Sequence, residues 1–92
     1  MKFDDRYPWV LEAWEAFEMT LLTRGKSNLI SRVGNHVRIR ESQKVSRKKG
    51  FDRVGMIGEE ILISSKLSEV EKKEILYFLL LSEAEDLDRN SQ

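Results

Sequence analysis

The sequence has no cysteine, one proline and one histidine in 92 residues. Without cysteine there is no disulfide framework and no thiolate metal site. A lone histidine, His36, leaves a metal centre or a nucleophile–base pair short of partners, so it reads as a surface or turn residue. The longest apolar run, Ile75 to Leu81, falls far short of the roughly 18–20 residues that span a bilayer. Residues 1–6 include two aspartates and no apolar stretch follows them, so no secretory leader is expected. The sequence contains no Asn-x-Ser/Thr acceptor. A cytoplasmic protein without membrane contact is the expectation, with a nuclear one also open.

Enzymatic signatures are missing too. Arg24-Gly25-Lys26-Ser27 resembles the end of a phosphate-binding loop, but the position that needs the earlier glycine is Thr20. The segment also follows a predicted helix where the motif requires a strand. The carboxylate pairs Glu59/Glu60 and Glu71/Glu74 fall on predicted helices whose exposed faces carry charge in any case. A non-enzymatic protein with no cofactor and no metal is expected.

Net charge is also absent, since 16 Lys and Arg balance 16 Asp and Glu. The balance hides a segregation. Residues 1–23 carry a net −3, residues 24–53 a net +8 and residues 54–92 a net −5. The basic block is Arg24, Lys26, Arg32, Arg38, Arg40, Lys44, Arg47, Lys48, Lys49 and Arg53. Phosphate binding needs several cations that reach a backbone together, and each neutralised phosphate adds affinity through counterion release. These ten residues are therefore the candidate nucleic-acid (DNA or RNA) contacts. The block has no aromatic before Phe51, so base stacking is not indicated, and no zinc-finger, RNP or KH pattern is present. Residues 44–49 also fit a weak nuclear-localisation or basophilic phosphorylation pattern.

A chain of this length forms one domain, residues 1–92, with a modest stability margin. Residues 1–6 and 88–92 are expected to fray. Pro8 suits a first helical turn. Val10, Ala13, Trp14, Phe17 and Leu21 then recur on one face, with Glu12, Glu15 and Glu18 opposite, which predicts a helix ending near Gly25.

Residues 29–40 support two readings. Ile30, Val33 and Val37 share a helical face, whereas Gly34-Asn35 suits the turn of a hairpin. A helix-turn-helix built from helices at 27–33 and 36–49 fits less well, because its turn is too short. Residues 42–50 read as a mobile basic loop. Asp52 can cap a helix over 53–66 that buries Val54, Ile57 and Ile61, although 61–65 also fits a strand.

The last helix is marked by Ser68 with Glu71 three residues on, the capping-box pattern. Val70, Leu76, Tyr77, Leu80, Leu81, Ala84 and Leu87 form its broad apolar face, and Ile75, Phe78 and Leu79 form a second. A helix apolar nearly all round must be central or paired with another subunit. Ile75, Phe78 and Leu79 are accordingly the candidate oligomer interface, and a homodimer is expected.

The expected fold is mainly α, a small bundle of three to four helices, with the alternative of an α+β fold with a β-hairpin around 29–40. The leading functional expectation is a small nucleic-acid-binding accessory or regulatory protein that contacts phosphates through the basic block. The competing one is a protein–protein module (inhibitor, immunity-type factor or adaptor) acting through apolar and acidic helix faces.

Overall fold

A computed structural model describes residues 7–49 and 58–90. In chain order these form α1 (Pro8–Thr23), α2 (Asn28–His36), β1 (Val37–Ser42), β2 (Ser46–Lys49), β3 (Glu59–Ser64) and α3 (Glu69–Asn90). The fold is mainly helical with a small mixed sheet. The expectation of a helical bundle is corrected accordingly.

Helix α1 begins where the sequence signals it. Pro8 occupies the first turn, where the missing N–H has no intrahelical acceptor to lose. Trp9, Val10, Ala13, Trp14, Phe17 and Leu21 are buried, the single face that the 3.6-residue period requires. The helix ends in a Schellman motif. The Lys26 N–H donates to the Leu21 carbonyl at 2.8 Å and the Gly25 N–H to the Leu22 carbonyl at 3.1 Å. Gly25 takes φ +70°, which costs a glycine little and a Cβ-bearing residue more.

Residues 29–40 divide between the two readings. The helix holds through His36, with Leu29, Val33 and Gly34 buried, so Gly34-Asn35 lies inside a helix and forms no hairpin turn. Ser27, at the N-cap of α2, makes no side-chain cap bond. From Val37 the backbone is extended, and Val37 and Ile39 are buried while Arg38 and Arg40 are exposed. That alternation is the period of a half-buried strand.

The partner of β1 is not its neighbour in sequence. The sheet order is β1-β3-β2, with β1 parallel and β2 antiparallel to β3. The expected mobile loop over 42–50 is therefore ordered as β2 over Ser46–Lys49. The helix expected over 53–66 is likewise corrected, because Glu59–Ser64 is the central strand. Its run Ile61-Leu62-Ile63 is buried throughout, with Ile61 and Ile63 in the main hydrophobic core. Residues 53–57 of that expected helix lie outside the described residues, as do residues 1–6, 91 and 92.

Helix α3 starts at the capping box. Glu71 N–H donates to Ser68 Oγ at 3.2 Å and Ser68 N–H to Glu71 Oε1 at 3.1 Å. The Ser68 backbone N–H first, and then the Ser68 side chain, hold the Glu71 carboxyl below its usual pKa. Leu76, Leu80 and Ala84 sit in the core with Phe17, Val33, Ile39, Ile61 and Ile63. Helix α3 touches α1, α2 and β3, so it is the central helix that its all-round apolarity requires. Val70, assigned to its buried face by spacing, is 60% exposed. Residue 70 lies in the first turn, before the helix enters the core.

Candidate functional site

The alternation of the sheet decides where the basic block goes. Residues opposite one another across strands share a face. Arg38 and Lys48 both pair with Glu60 across β3, whereas Arg47 pairs with Ile61. Arg38, Arg40 and Lys48 therefore lie on the outer face of the sheet, while Arg47 turns inward toward α3.

The remaining cations are dispersed. Arg24 is exposed at the end of α1, Arg32 on α2 and Lys44 between β1 and β2. Lys26 Nζ donates to Asp88 Oδ2 at 2.9 Å, and Arg40 Nη1 to Glu60 Oε2 at 3.3 Å. Lys49 closes β2, and Arg53 lies outside the described residues. Of the ten cations, the structure aligns Arg38, Arg40 and Lys48 around a central carboxylate and commits Lys26, Arg40 and Arg47 to ion pairs.

Two concave features stand out among the described residues, and neither was singled out by sequence. The first is a groove between α1 and α3. These helices run in the same direction, since Glu12 meets Lys73, Thr20 meets Tyr77 and Lys26 meets Asp88. Ala16 is small enough to leave a groove of about 440 Å³, lined by Glu12, Glu15, Ala16, Met19, Lys73, Glu74 and Tyr77. Tyr77 is held across it by a 2.7 Å hydrogen bond between its hydroxyl and Thr20 Oγ1, and the Phe78 ring lies edge-on to Tyr77 at 5.5 Å.

Met19 is 64% and Phe78 65% exposed. Of the expected oligomer residues, Ile75 and Leu79 are instead partly buried against the core, and Phe78 alone projects. The groove is legible in retrospect from Met19, Leu22 and Ala16, which fall off the buried face of α1.

The second feature is an ionic cleft of about 450 Å³ where α2, β2 and β3 meet the last turns of α3. Glu83 is 2% exposed although it carries a carboxyl group, because its position places it on the buried stripe of α3 with Leu76, Leu80 and Ala84. Its Oε1 lies 3.1 Å from His36 Nε2 and its Oε2 3.3 Å from Arg47 Nη2. Arg47 also donates to Ser82 Oγ at 2.9 Å and to Asp86 Oδ2 at 2.7 Å, and its Nη2 lies 3.9 Å from Glu59 Oε1.

Burial raises the Glu83 pKa most, against the opposing pull of Arg47; Glu59 raises it further, His36 lowers it and Asp86 raises it. The bonds from Arg47 and then Arg89 hold the Asp86 carboxyl below its usual value, and the Asp86 bond raises the Arg47 guanidinium despite its partial burial. The sequence signal that points to this cleft is a glutamate at core spacing on an otherwise apolar helix face. His36, read as a surface residue, is one of its walls.

By fold and sites this is a small α+β domain with a helix–helix groove and an internal ionic cleft. Among the described residues no three His, Asp or Glu side chains converge to hold a metal, and no helix is long and apolar enough to cross a membrane. Compared with family models, curated proteins and solved structures, the chain matches none.

Proposed function

We propose that this chain is a protein-interaction module whose α1–α3 groove receives a partner segment with apolar anchors and basic flanks. The observation that carries this reading is the exposure of Met19 and Phe78 beside a formed groove. Exposed apolar surface gathered around a concavity marks a contact site, whereas isolated apolar residues are ordinary. The lining supplies the partner's chemistry. Glu12, Glu15 and Glu74 outnumber Lys73, and Lys73 already lies 3.4 Å from Glu12. Lys or Arg flanking an apolar anchor complements that rim, as in helix-in-groove recognition.

The test uses a fluorescent amphipathic peptide with a leucine face and lysine flanks, and a counterpart with glutamate flanks. The lysine peptide should bind, the glutamate peptide should not, and Ala16→Leu and Phe78→Asp should each weaken binding at least tenfold. Both positions are exposed, so folding should be retained. Binding unaltered in both variants would overturn the proposal. So would light scattering that shows a dimer which Phe78→Asp converts to monomer, since a second copy of the chain would then occupy the groove.

Nucleic-acid binding remains a second reading, favoured by the alignment of Arg38, Arg40 and Lys48 on the outer sheet face. It ranks lower because Arg40 is itself paired with Glu60 and the cations away from that face are dispersed or paired, whereas phosphate affinity grows with the number acting together.

A further inference from the structure

Resting on the α1–α3 groove as the partner site, we propose that the side chain it selects is an arginine of the docked segment. Two carboxylates border the same concavity from opposite walls, Glu15 from α1 and Glu74 from α3. Both are exposed, and among the described residues neither makes an ion pair or a side-chain hydrogen bond. Glu12, the third glutamate there, already lies 3.4 Å from Lys73 Nζ. The negative charge left for an occupant is therefore that of Glu15 and Glu74.

Between these two carboxylates the lining is Ala16, Met19 and Tyr77. The Tyr77 hydroxyl is tied to Thr20 Oγ1 at 2.7 Å, which fixes the ring as one wall. A leucine placed there would meet the apolar lining but would cover both carboxylates without supplying a counter-charge, which is costly. A side chain with an alkyl stem and a cationic tip answers both parts, its stem on the lining and its head at the rim. The apolar anchors of the same segment then meet Met19 and Phe78, the exposed residues of the two helices.

Arginine fits better than lysine. A planar guanidinium presents N–H groups on several edges, so it can donate toward both walls while its face lies on the Tyr77 ring. An ammonium is a compact and strongly hydrated point charge. Exposed ion pairs contribute little, but one head shared by two carboxylates under a bound helix makes the stronger, charge-assisted kind of bond.

The experiment uses the lysine-flanked leucine peptide with one central leucine replaced by arginine, by lysine or by citrulline, the uncharged counterpart of arginine. Fluorescence anisotropy should show the arginine peptide binding about tenfold tighter than the citrulline peptide, with the lysine peptide between them. In the double variant Glu15→Gln/Glu74→Gln the arginine and citrulline peptides should bind alike. The difference between these two peptides isolates the central position from the flanking lysines. Both substituted positions are exposed, so folding should be retained, and circular dichroism checks it. Equal affinity of the arginine and citrulline peptides for the parent overturns this inference and leaves the groove as a partner site. An arginine preference that survives the double variant, or a lysine peptide that binds as tightly as the arginine one, overturns it as well. Failure of every peptide to bind overturns the groove as the partner site and this inference with it.

Discussion

Single side chains in this protein carry opposite electrostatic signs within a few ångströms, and their pH dependence separates them. The Glu83 pKa is raised by burial, so the folded state holds a proton over a pH range in which the unfolded chain, at about 4.3, has released it. This contribution to stability is fully present below that unfolded value and is lost as pH rises through the folded one. Glu83→Gln removes the dependence. The variant should gain stability relative to the parent at pH above neutrality and lose that gain in mild acid, by urea unfolding at both conditions. A gain that grows toward acid would refute the assignment. Asp86 has the reverse sign, since its lowered pKa gives stability that is lost as pH falls through the folded value.

Lys72 is a second buried charge. Its Nζ lies 2.8 Å from Glu41 Oε1 and 5.6 Å from the centroid of the Trp9 ring, tying α3 to both β1 and α1. Lys72→Ala should cost about 2 kcal/mol because the part-buried Glu41 loses its charged hydrogen-bond partner. Pairing Lys72→Met with Glu41→Leu should recover most of that in chemical denaturation.

At the scale of elements, the capping signals test themselves. Ser68→Ala removes the acceptor for the Glu71 N–H and should lower stability by about 1 kcal/mol. Gly25→Ala should cost a similar ~1 kcal/mol through backbone strain alone, because a Cβ there meets nothing within 4 Å while φ is +70°. Gly25→Asn should be milder, and thermal unfolding of the three variants gives the order.

These same residues explain what could be read without coordinates. Pro8, Gly25, Ser68 and Glu71 act within one turn of chain, so their consequences are local, and α1 and α3 follow from them. The sheet does not. Val37-Arg38-Ile39-Arg40 shows its period of two, but its partner Glu59–Ser64 lies beyond an intervening strand, and parallel pairing leaves no turn to mark it. Arg47 and Lys48 are adjacent in a run that reads as one basic arm. Once the run is a strand they face opposite ways, and Arg47 becomes an interior residue. Glu83 was hidden by its acidic neighbours, although its distance from Leu76 and Leu80 already places it on the core side.

For the whole molecule, the segregation of charge along the chain is only partly preserved in space. The block of net +8 would, if all its surplus charge met phosphates, give a log–log salt slope of about −7. The fold permits less. Lys26, Arg40 and Arg47 are engaged with Asp88, Glu60 and Asp86, and the outer sheet face can bring at most Arg38, Arg40 and Lys48, set around Glu60, to a phosphate backbone. Three such contacts imply a slope of about −3, weak at physiological salt. A titration of labelled duplex DNA from low to physiological salt should therefore show shallow dependence, abolished by combining Arg38→Glu, Arg40→Glu and Lys48→Glu. Ala16→Leu and Phe78→Asp should leave it unchanged. A slope near −7 would mean that the basic block acts as one surface, and nucleic acid would then displace the α1–α3 groove as the principal partner. A slope near −3 with intact peptide binding would leave the groove as the stronger contact, with the sheet face contributing only non-specific attraction.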